Sequence, residues 1–287
     1  MNQRTCRKYF PLGSLGFVFT VFSLWAAVTL SHAETPASLS PPMKPIAAPT
    51  AQAVSIAAAA NLVYVLDEVN AAFRAREPHA ILTVAIGASG SLVAQVQQGA
   101  PFDVFLSADL EHPQALISSG AADAKTLRIF ATGQLVLWTI RPGIQLSSLE
   151  ETVRNKTIRR IAIANTDTAP YGRAAKQALE AIGAWRDIER KLVYGENITQ
   201  TAQFVETGNA DVGLVALSLV LSPKLKDRGR WIPVPENAYT PLAQSAVLTS
   251  KGAKNVMAAR YLQFFRSPEA EKIFERYGYR APGREPR

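Results

Sequence analysis

The sequence contains few of the side chains that most often bind transition metals or take part in nucleophilic catalysis. Its 287 residues include one cysteine and three histidines. The cysteine, Cys6, lies in the basic N-terminal stretch, so a chain processed after Ala33 would have no thiol and no disulfide. Two isolated histidines, His79 and His112, would remain in that chain. This small set argues against a transition-metal site held by cysteine and histidine.

Apolar runs as long as 18 residues are also absent beyond the N-terminal segment. In that segment, basic residues are followed by an apolar run at 13–30 and by small residues that end at Ala33. This order is typical of a cleavable secretory signal, which we expect at 1–33. A transmembrane anchor is the alternative, since about 18 apolar residues nearly span a bilayer. The small residues at the cleavage site favour the signal peptide.

The next stretch, 34–53, contains five prolines and has no periodic pattern. Such a composition is typical of a disordered or polyproline spacer. The rest of the chain, 54–287, is long enough for one large domain or two small ones.

The formal net charge of the chain is +8. Lysine and arginine are scattered, apart from a basic C-terminal stretch at 275–287. A nucleic-acid-binding protein usually concentrates these residues in one stripe with interleaved aromatic side chains. We therefore expect no nucleic-acid partner, whereas a mild positive field suits the attraction of a small anion.

Strand-like and helix-like patterns alternate from Val54 onward, which predicts an α/β fold with mostly parallel sheets and helices on their faces. Asn61 is placed to cap the first helix, and Asn197 and Gln200 have the spacing of a capping box. Strands are predicted at 54–60, 81–86, 102–109, 134–140, 160–165, 211–217 and 246–250, and helices at 61–76, 91–100, 171–183, 197–208 and, broken at Ser267 and Pro268, 255–278.

Four of the predicted strand-to-helix turns lack basic residues. They contain Asn61, Ser89 in the stretch GASGSL (87–92), the stretch 166–172 and the stretch 195–198. Ligands of doubly wound sheets bind where such turns meet, at the carboxyl ends of the strands. Each turn exposes backbone N–H groups at the positive end of a helix, and together they would form an anion site without a cation. The simpler interpretation is that these residues only cap their helices.

Nucleotide binding and catalysis receive little support from the same turns. The stretch GASGSL lacks the lysine of a Walker loop and the spacing of a dinucleotide-binding motif. Ser89 lies between glycines, but the G-x-S-x-G pattern of a hydrolase fails at Ser91. His79 and His112 are the two possible bases, and both are predicted to be ordinary solvated histidines. We therefore predict no catalytic residue, and a serine hydrolase remains the less favoured alternative.

Five stretches, in order and with similar spacing, point to one family. They are IAAAANL (56–62), GASGSLVAQVQQGAPFDVFLSAD (87–109), APYGRAAKQALEAIGAW (169–185), ADVGLVALS (210–218) and SPEAEKIFERYGY (267–279). Together they resemble the periplasmic molybdate-binding proteins of bacterial ABC uptake systems, and the similarity covers nearly all of 54–279.

The resemblance implies a two-lobed periplasmic binding protein of type II, with mixed, mostly parallel sheets and a chain that crosses between the lobes twice. Lobe 1 would comprise 54–131 and 236–287, and lobe 2 would comprise 132–235. The protein would be a periplasmic monomer without a cofactor that binds molybdate or tungstate and delivers it to an inner-membrane ABC permease. Molybdenum would enter only as the oxyanion. Carriers of sulfate or phosphate are the alternative, because only cavity size distinguishes sulfate from molybdate.

The resemblance also implies which residues hold the anion. Asn61 would supply its side chain and its N–H group, Ser89 its hydroxyl, and Tyr171 and Ile198 their backbone N–H groups. One position departs from the family. Some members place a tyrosine hydroxyl on the anion at the position of Ala216, so here that donor is either replaced from elsewhere, near Tyr171, or missing.

Overall fold

The computed structural model describes residues 52–282, which belong to one compact unit, Ala47–Arg287. The expected signal peptide at 1–33, with Cys6, and nearly all of the expected spacer lie outside the described residues. Gln52 and Ala53 are exceptions, because they form the start of the first strand rather than the end of the spacer. Between residues 52 and 282, no helix is both long and apolar enough to cross a membrane.

The first sheet has five strands. Strand β1 (Gln52–Ala59) pairs in parallel with β2 (Ala80–Gly87) and with β3 (Val104–Ser107). Strand β10 (Leu242–Leu248) runs antiparallel between β3 and β4 (Arg128–Gly133). The sequence of β1 is an almost continuous apolar run because this strand has a neighbour on each side and is covered on both faces.

The second sheet also has five strands, in the order β7-β6-β8-β5-β9. They are β5 (Leu135–Thr139), β6 (Ile161–Ala164), β7 (Leu192–Gly195), β8 (Val212–Ala216) and β9 (Arg230–Pro233). Strand β5 runs antiparallel to both of its neighbours, as β10 does in the first sheet. The other four strands of each sheet share one direction, so the prediction of mixed, mostly parallel sheets is confirmed.

The helices alternate with these strands and cover the sheets. Ser267 accepts a hydrogen bond from the Ala270 N–H at 3.2 Å and starts the last helix, so the predicted break before Pro268 is confirmed. The helices are α1 (Val65–Arg76), α2 (Ser89–Gln97), α3 (Glu111–Ser118), α4 (Leu149–Arg154), α5 (Pro170–Ala181), α6 (Trp185–Ile188), α7 (Ile198–Glu206), α8 (Leu217–Val220), α9 (Val256–Phe264) and α10 (Pro268–Arg276).

Seven elements escape prediction from the sequence: α3, α4, α6, α8, β4, β7 and β9. Strands β7 and β9 are four-residue edge strands that expose Tyr194 and Trp231, so neither shows the apolar pattern of a buried strand. Helix α3 contains Pro113. Proline usually indicates a turn, but it is tolerated near a helix N-terminus. These elements depend on their neighbours rather than on a strong local signal.

The chain passes between the two sheets at two places. It leaves β4 at Gly133 and enters β5 at Leu135, and it returns between the end of β9 and Leu242. We call the part built on the first sheet lobe 1 and the part built on the second sheet lobe 2. Tyr239 lies in the returning segment, and its hydroxyl accepts a hydrogen bond from the Leu135 N–H at 3.2 Å. The two connections are therefore bonded to each other.

Close packing sets the position of α5 in lobe 2. Gly172 lies so near the end of β6 that a Cβ atom there would approach the backbone oxygen of Asn165 to 2.3 Å. This absence of a side chain lets the first turn of α5 sit directly against the carboxyl end of β6. The N-terminus of the helix therefore reaches the edge of the sheet where lobe 2 faces lobe 1.

Candidate functional site

A small cavity lies between the lobes, and the space in it that is open to the centre of a water-sized molecule is about 10 Å³. That is close to the smallest space that holds one water molecule, so the cavity is tight. The cavity brings together all four residues that the resemblance implies: Asn61, Ser89, Tyr171 and Ile198. Its other lining residues are Ala59, Ala60, Gly87, Ala88, Ala108, Ala169, Pro170 and Asn197, so no lining side chain carries a charge.

Three helices begin at this cavity. Ser89 is the first residue of α2, Tyr171 is the second residue of α5, and Ile198 is the first residue of α7. The N–H groups of a first helical turn have no carbonyl partner within their helix, and they lie at the positive end of its dipole. Strong partial positive charge therefore converges on the cavity from both lobes without a cationic side chain.

The cap of α7 leaves one donor for the cavity. Asn197 accepts hydrogen bonds from the N–H groups of Thr199 and Gln200, at 3.0 and 3.1 Å, so its predicted role as a helix cap is confirmed. The Gln200 side chain accepts from the Glu196 N–H rather than from the Asn197 N–H, so the reciprocal half of the expected capping box is shifted by one residue. Since Asn197 bonds only the two later groups, the cap does not use the Ile198 N–H.

Ser89 does not act as a helix cap through its side chain. The residue before α2 is Ala88, and no side chain caps that helix. The buried Ser89 hydroxyl instead accepts a hydrogen bond from the Ala108 N–H at 3.2 Å. Within residues 52–282 it donates to no other group, so its hydrogen is free for a molecule in the cavity.

Asn61 differs from its predicted role as a helix cap. It lies in a 3-10 turn, Ala60–Leu62, and α1 begins only at Val65 after Tyr64. The Asn61 side chain is buried, and its Nδ2 atom donates to Gln244 Oε1 at 2.7 Å and to the Tyr279 hydroxyl at 2.8 Å. The interpretation as a cap is therefore wrong, because distant partners hold this amide.

The orientation of the Asn61 amide follows from its neighbours. Gln244 Nε2 donates to the backbone oxygens of Leu242 at 2.8 Å and Ala108 at 3.3 Å, so the Gln244 oxygen must face Asn61. Asn61 must then present its nitrogen to Gln244, since two amide oxygens at this distance would repel each other. Asn61 Oδ1 is left buried without a donor. In this arrangement Asn61 can offer an anion its backbone N–H but not the amide hydrogens that the resemblance implied.

Polar groups of lobe 2 also meet Asn61. The Ser218 hydroxyl donates to the Asn61 backbone oxygen at 2.9 Å and lies 3.1 Å from the Tyr279 hydroxyl. The Thr199 hydroxyl donates to the neighbouring backbone oxygen of Ala60 at 2.8 Å. These bonds join the lobes along one side of the cavity, and nothing in the local sequence marks Gln244, Tyr279 or Ser218 as their partners.

Tyr171 offers more than a backbone group. Its hydroxyl is buried without a partner, and a Cβ atom at Gly133 would lie only 2.2 Å from it. Burial raises the pKa of Tyr171 well above its ordinary value, and the nearby hydroxyls of Tyr279 and Tyr239 add to this effect. The hydroxyl therefore stays protonated and can donate. Ala216 ends β8 and is buried outside the cavity, so β8 does not supply a donor there.

Both histidines of the described residues, His79 and His112, lie outside the cavity. His79 is exposed, in agreement with its prediction as a solvated residue. The same prediction is wrong for His112, whose side chain is only 11% exposed and whose Nδ1 atom lies 2.7 Å from Asp109 Oδ2. No hydrogen bond joins either histidine to the Ser89 hydroxyl, whose hydrogen-bond partner is the Ala108 N–H. The described part of the chain also contains no cluster of three histidine, cysteine, aspartate or glutamate residues that could hold a metal ion.

The fold and the cavity define a two-lobed periplasmic binding protein, and comparison with known proteins supports this class. The model of the bacterial extracellular solute-binding protein family matches residues 54–280, and the chain belongs to that family. It is 39% identical to the molybdate-binding protein ModA of Rhodobacter capsulatus, over 82% of this chain and 91% of that protein. It is 36% identical to ModA of Azotobacter vinelandii, over 79% of this chain and 89% of that protein.

A solved structure shows the same architecture. The Azotobacter vinelandii periplasmic molybdate-binding protein superposes with a TM-score of 0.76 at 31% identity, over 80% of this chain and 99% of that one. These relatives are solute-binding proteins of transporters rather than enzymes. The protein is therefore a transport-associated binding protein and not a hydrolase.

The Asn61 network can be tested through Tyr279. Replacing Tyr279 with phenylalanine removes the hydroxyl that accepts from Asn61 Nδ2, and we expect the free energy of unfolding to fall by about 1–3 kcal/mol. Chemical denaturation without ligand measures this change. Tyr194→Phe is the matched control, because the Tyr194 side chain is largely exposed on an edge strand and should alter stability far less. Equal effects of the two substitutions would contradict the network.

Proposed function

We propose that the protein binds molybdate, and also tungstate, in the cavity between its lobes and delivers the anion to an inner-membrane ABC permease. The observation that carries this proposal is a cavity lined only by neutral groups at the N-termini of three helices. The names of the relatives point to the same ligand, since two proteins more than 35% identical to this chain are called molybdate-binding.

A neutral donor set suits a carrier. Dipoles of backbone N–H groups and hydroxyls stabilise a dianion strongly in a water-poor cavity. They bring no full opposite charge that would also resist its release. The proposed donors are the N–H group of Asn61, the N–H and hydroxyl groups of Ser89, the N–H and hydroxyl groups of Tyr171, and the N–H group of Ile198. In this proposal the Tyr171 hydroxyl takes the place of the tyrosine that is absent at Ala216.

The proposed setting of this activity is the periplasm. Family membership supports a role outside the cytoplasm, and the basic and apolar pattern of 1–33 supports export through a cleavable signal. The chain would act as a monomer, and it would need no resident cofactor because the molybdenum is cargo. The expected spacer would separate the binding domain from the processed N-terminus.

A protonated oxyanion is the rival ligand that one observation favours. Asn61 Oδ1 is a buried acceptor at the cavity, and it could receive the proton of hydrogen phosphate. Sulfate carries no proton at neutral pH and matches molybdate in charge, so size alone separates these two. A comparison of anions is therefore needed to distinguish the ligands.

Thermal unfolding of the processed chain with molybdate, tungstate, sulfate and phosphate in parallel makes that comparison. A ligand at 100 times its dissociation constant should add about 2.7 kcal/mol to the free energy of unfolding. We expect molybdate and tungstate to raise the unfolding midpoint at concentrations where sulfate and phosphate do not. If phosphate or sulfate raises the midpoint more than molybdate does, that anion is the ligand instead of molybdate. If none of the four anions raises the midpoint, oxyanion transport is refuted.

The assignment of Ser89 has its own test. Ser89→Ala removes a hydroxyl donor from the bound anion, and we expect the affinity for molybdate to fall by about 1–3 kcal/mol. Isothermal titration calorimetry measures this loss, and the unfolding free energy without ligand accounts for the lost Ala108 contact. Ser91→Ala, in the same helix but outside the cavity, is the matched control. An unchanged dissociation constant for Ser89→Ala would remove Ser89 from the site.

A further inference from the structure

A second set of contacts joins the lobes beside the cavity. The Gly90 N–H, in α2 of lobe 1, donates to the backbone oxygen of Thr168 in lobe 2 at 2.9 Å. Arg173, in α5 of lobe 2, forms ion pairs with Asp109 and, at 2.8 Å, with Glu111 of lobe 1. We call the contact zone formed by Gly90, Asp109, Glu111, Thr168 and Arg173 the seam. Neither Arg173 nor Asp109 lines the cavity, so neither side chain is placed to contact an anion bound there.

Asp109 is held as a charged group by lobe 1 itself. Its side chain is 13% exposed, and it accepts hydrogen bonds from the Ser107 hydroxyl at 2.9 Å and from the His112 backbone N–H at 3.2 Å, with His112 Nδ1 at 2.7 Å. Burial alone would raise the pKa of Asp109, but the His112 contacts and the Ser107 hydroxyl lower it below its ordinary value. When the lobes separate, these partners stay with Asp109, and the carboxylate loses only Arg173.

The seam is also closely packed at Gly90. A Cβ atom there would lie 3.0 Å from the Thr168 oxygen and 3.0 Å from His112 Nε2. Gly90 lies in a helix and has no positive φ, so its backbone would accept alanine. The missing side chain therefore serves the close approach of Thr168 in lobe 2 and of His112 in lobe 1, and not the conformation of α2.

We propose that the Asp109–Arg173 ion pair and the Gly90–Thr168 hydrogen bond form a lock that keeps the lobes closed and sets the rate at which a bound anion is released. Contacts that form only after closure stabilise the closed complex without changing the encounter with the ligand. They therefore act on the dissociation rate rather than on the association rate. This proposal rests on the proposed function for the identity of the ligand. The residues of the cavity, and not those of the lock, determine which anion binds.

Arg173→Gln tests the charged part of the lock. Labelled molybdate is bound and then chased with excess unlabelled molybdate for the dissociation rate, and initial binding gives the association rate. We expect the dissociation rate of the variant to be about five to ten times that of wild type, because a partly exposed charge-assisted bond is lost. The association rate should stay within about twofold of the wild-type rate. Arg173→Lys should restore part of the slow release. Arg154→Gln is the matched control, because Arg154 pairs with Glu150 and Asp187, both in lobe 2.

Gly90→Ala tests the packing of the seam without changing any charge. Its methyl group should hold the lobes slightly apart and also accelerate release. Gly143→Ala is the control, because a Cβ atom at Gly143 would meet nothing within 4 Å. The lock is refuted if wild-type protein binds molybdate and both Arg173→Gln and Gly90→Ala release it at the wild-type rate. It is also refuted if Arg173→Gln slows association alone, since Arg173 would then only attract the anion.

A failure of the proposed function would look different, because wild-type protein would then bind no molybdate at all. In that case labelled phosphate or sulfate, whichever raises the unfolding midpoint of wild type, takes the place of molybdate in the same release measurement. Equal release rates of that anion from wild type, Arg173→Gln and Gly90→Ala would refute the lock. If none of the anions binds, the proposed function fails and the lock fails with it.

Discussion

The hydrogen bond between Asn61 and Gln244 is the contact on which the geometry of the cavity depends. It joins the 3-10 turn that follows β1 to β10, a strand that the chain forms only after completing lobe 2. Because two backbone oxygens orient Gln244, this bond fixes the orientation of the Asn61 amide. The Asn61 nitrogen faces Gln244, and the Asn61 oxygen has no partner. Tyr279 and Ser218 extend the network, and the Ser218 hydroxyl of lobe 2 donates to the Asn61 backbone oxygen, so the network connects both lobes along one side of the cavity.

Around this network, the protein keeps full charges and partial charges in separate places. The cavity receives only dipoles, from helix N-termini and hydroxyls, whereas Arg173, Asp109 and Glu111 are paired in the seam outside it. A dianion enclosed by dipoles can be held tightly and still be released when the lobes part. Charge in the seam can then control the lifetime of the closed form without contacting the anion. Binding and release would thus depend on different residues.

Local patterns in the sequence were enough to find the helix N-termini of the site. Ile198 follows from its Asn197 cap, and the small residues before α2 mark Ser89. The same patterns misassigned Asn61 as a cap, because an asparagine after a strand fits a helix cap and a ligand site equally well. Its actual partners lie 183 and 218 residues away, a separation that no local pattern reports. The burial of His112 depends in the same way on contacts of α3, whose proline obscured the helix.

The most direct test is a crystal structure of the processed protein with molybdate, in which anomalous scattering locates the molybdenum atom. We expect one tetrahedral anion between the lobes, within about 2.7–3.1 Å of the Ser89 hydroxyl and the Ile198 N–H. We also expect Asn61 to keep its bond to Gln244 and to meet the anion with its backbone N–H. Anomalous signal elsewhere on the molecule, or a cavity that remains without an anion at saturating molybdate, would contradict oxyanion binding between the lobes.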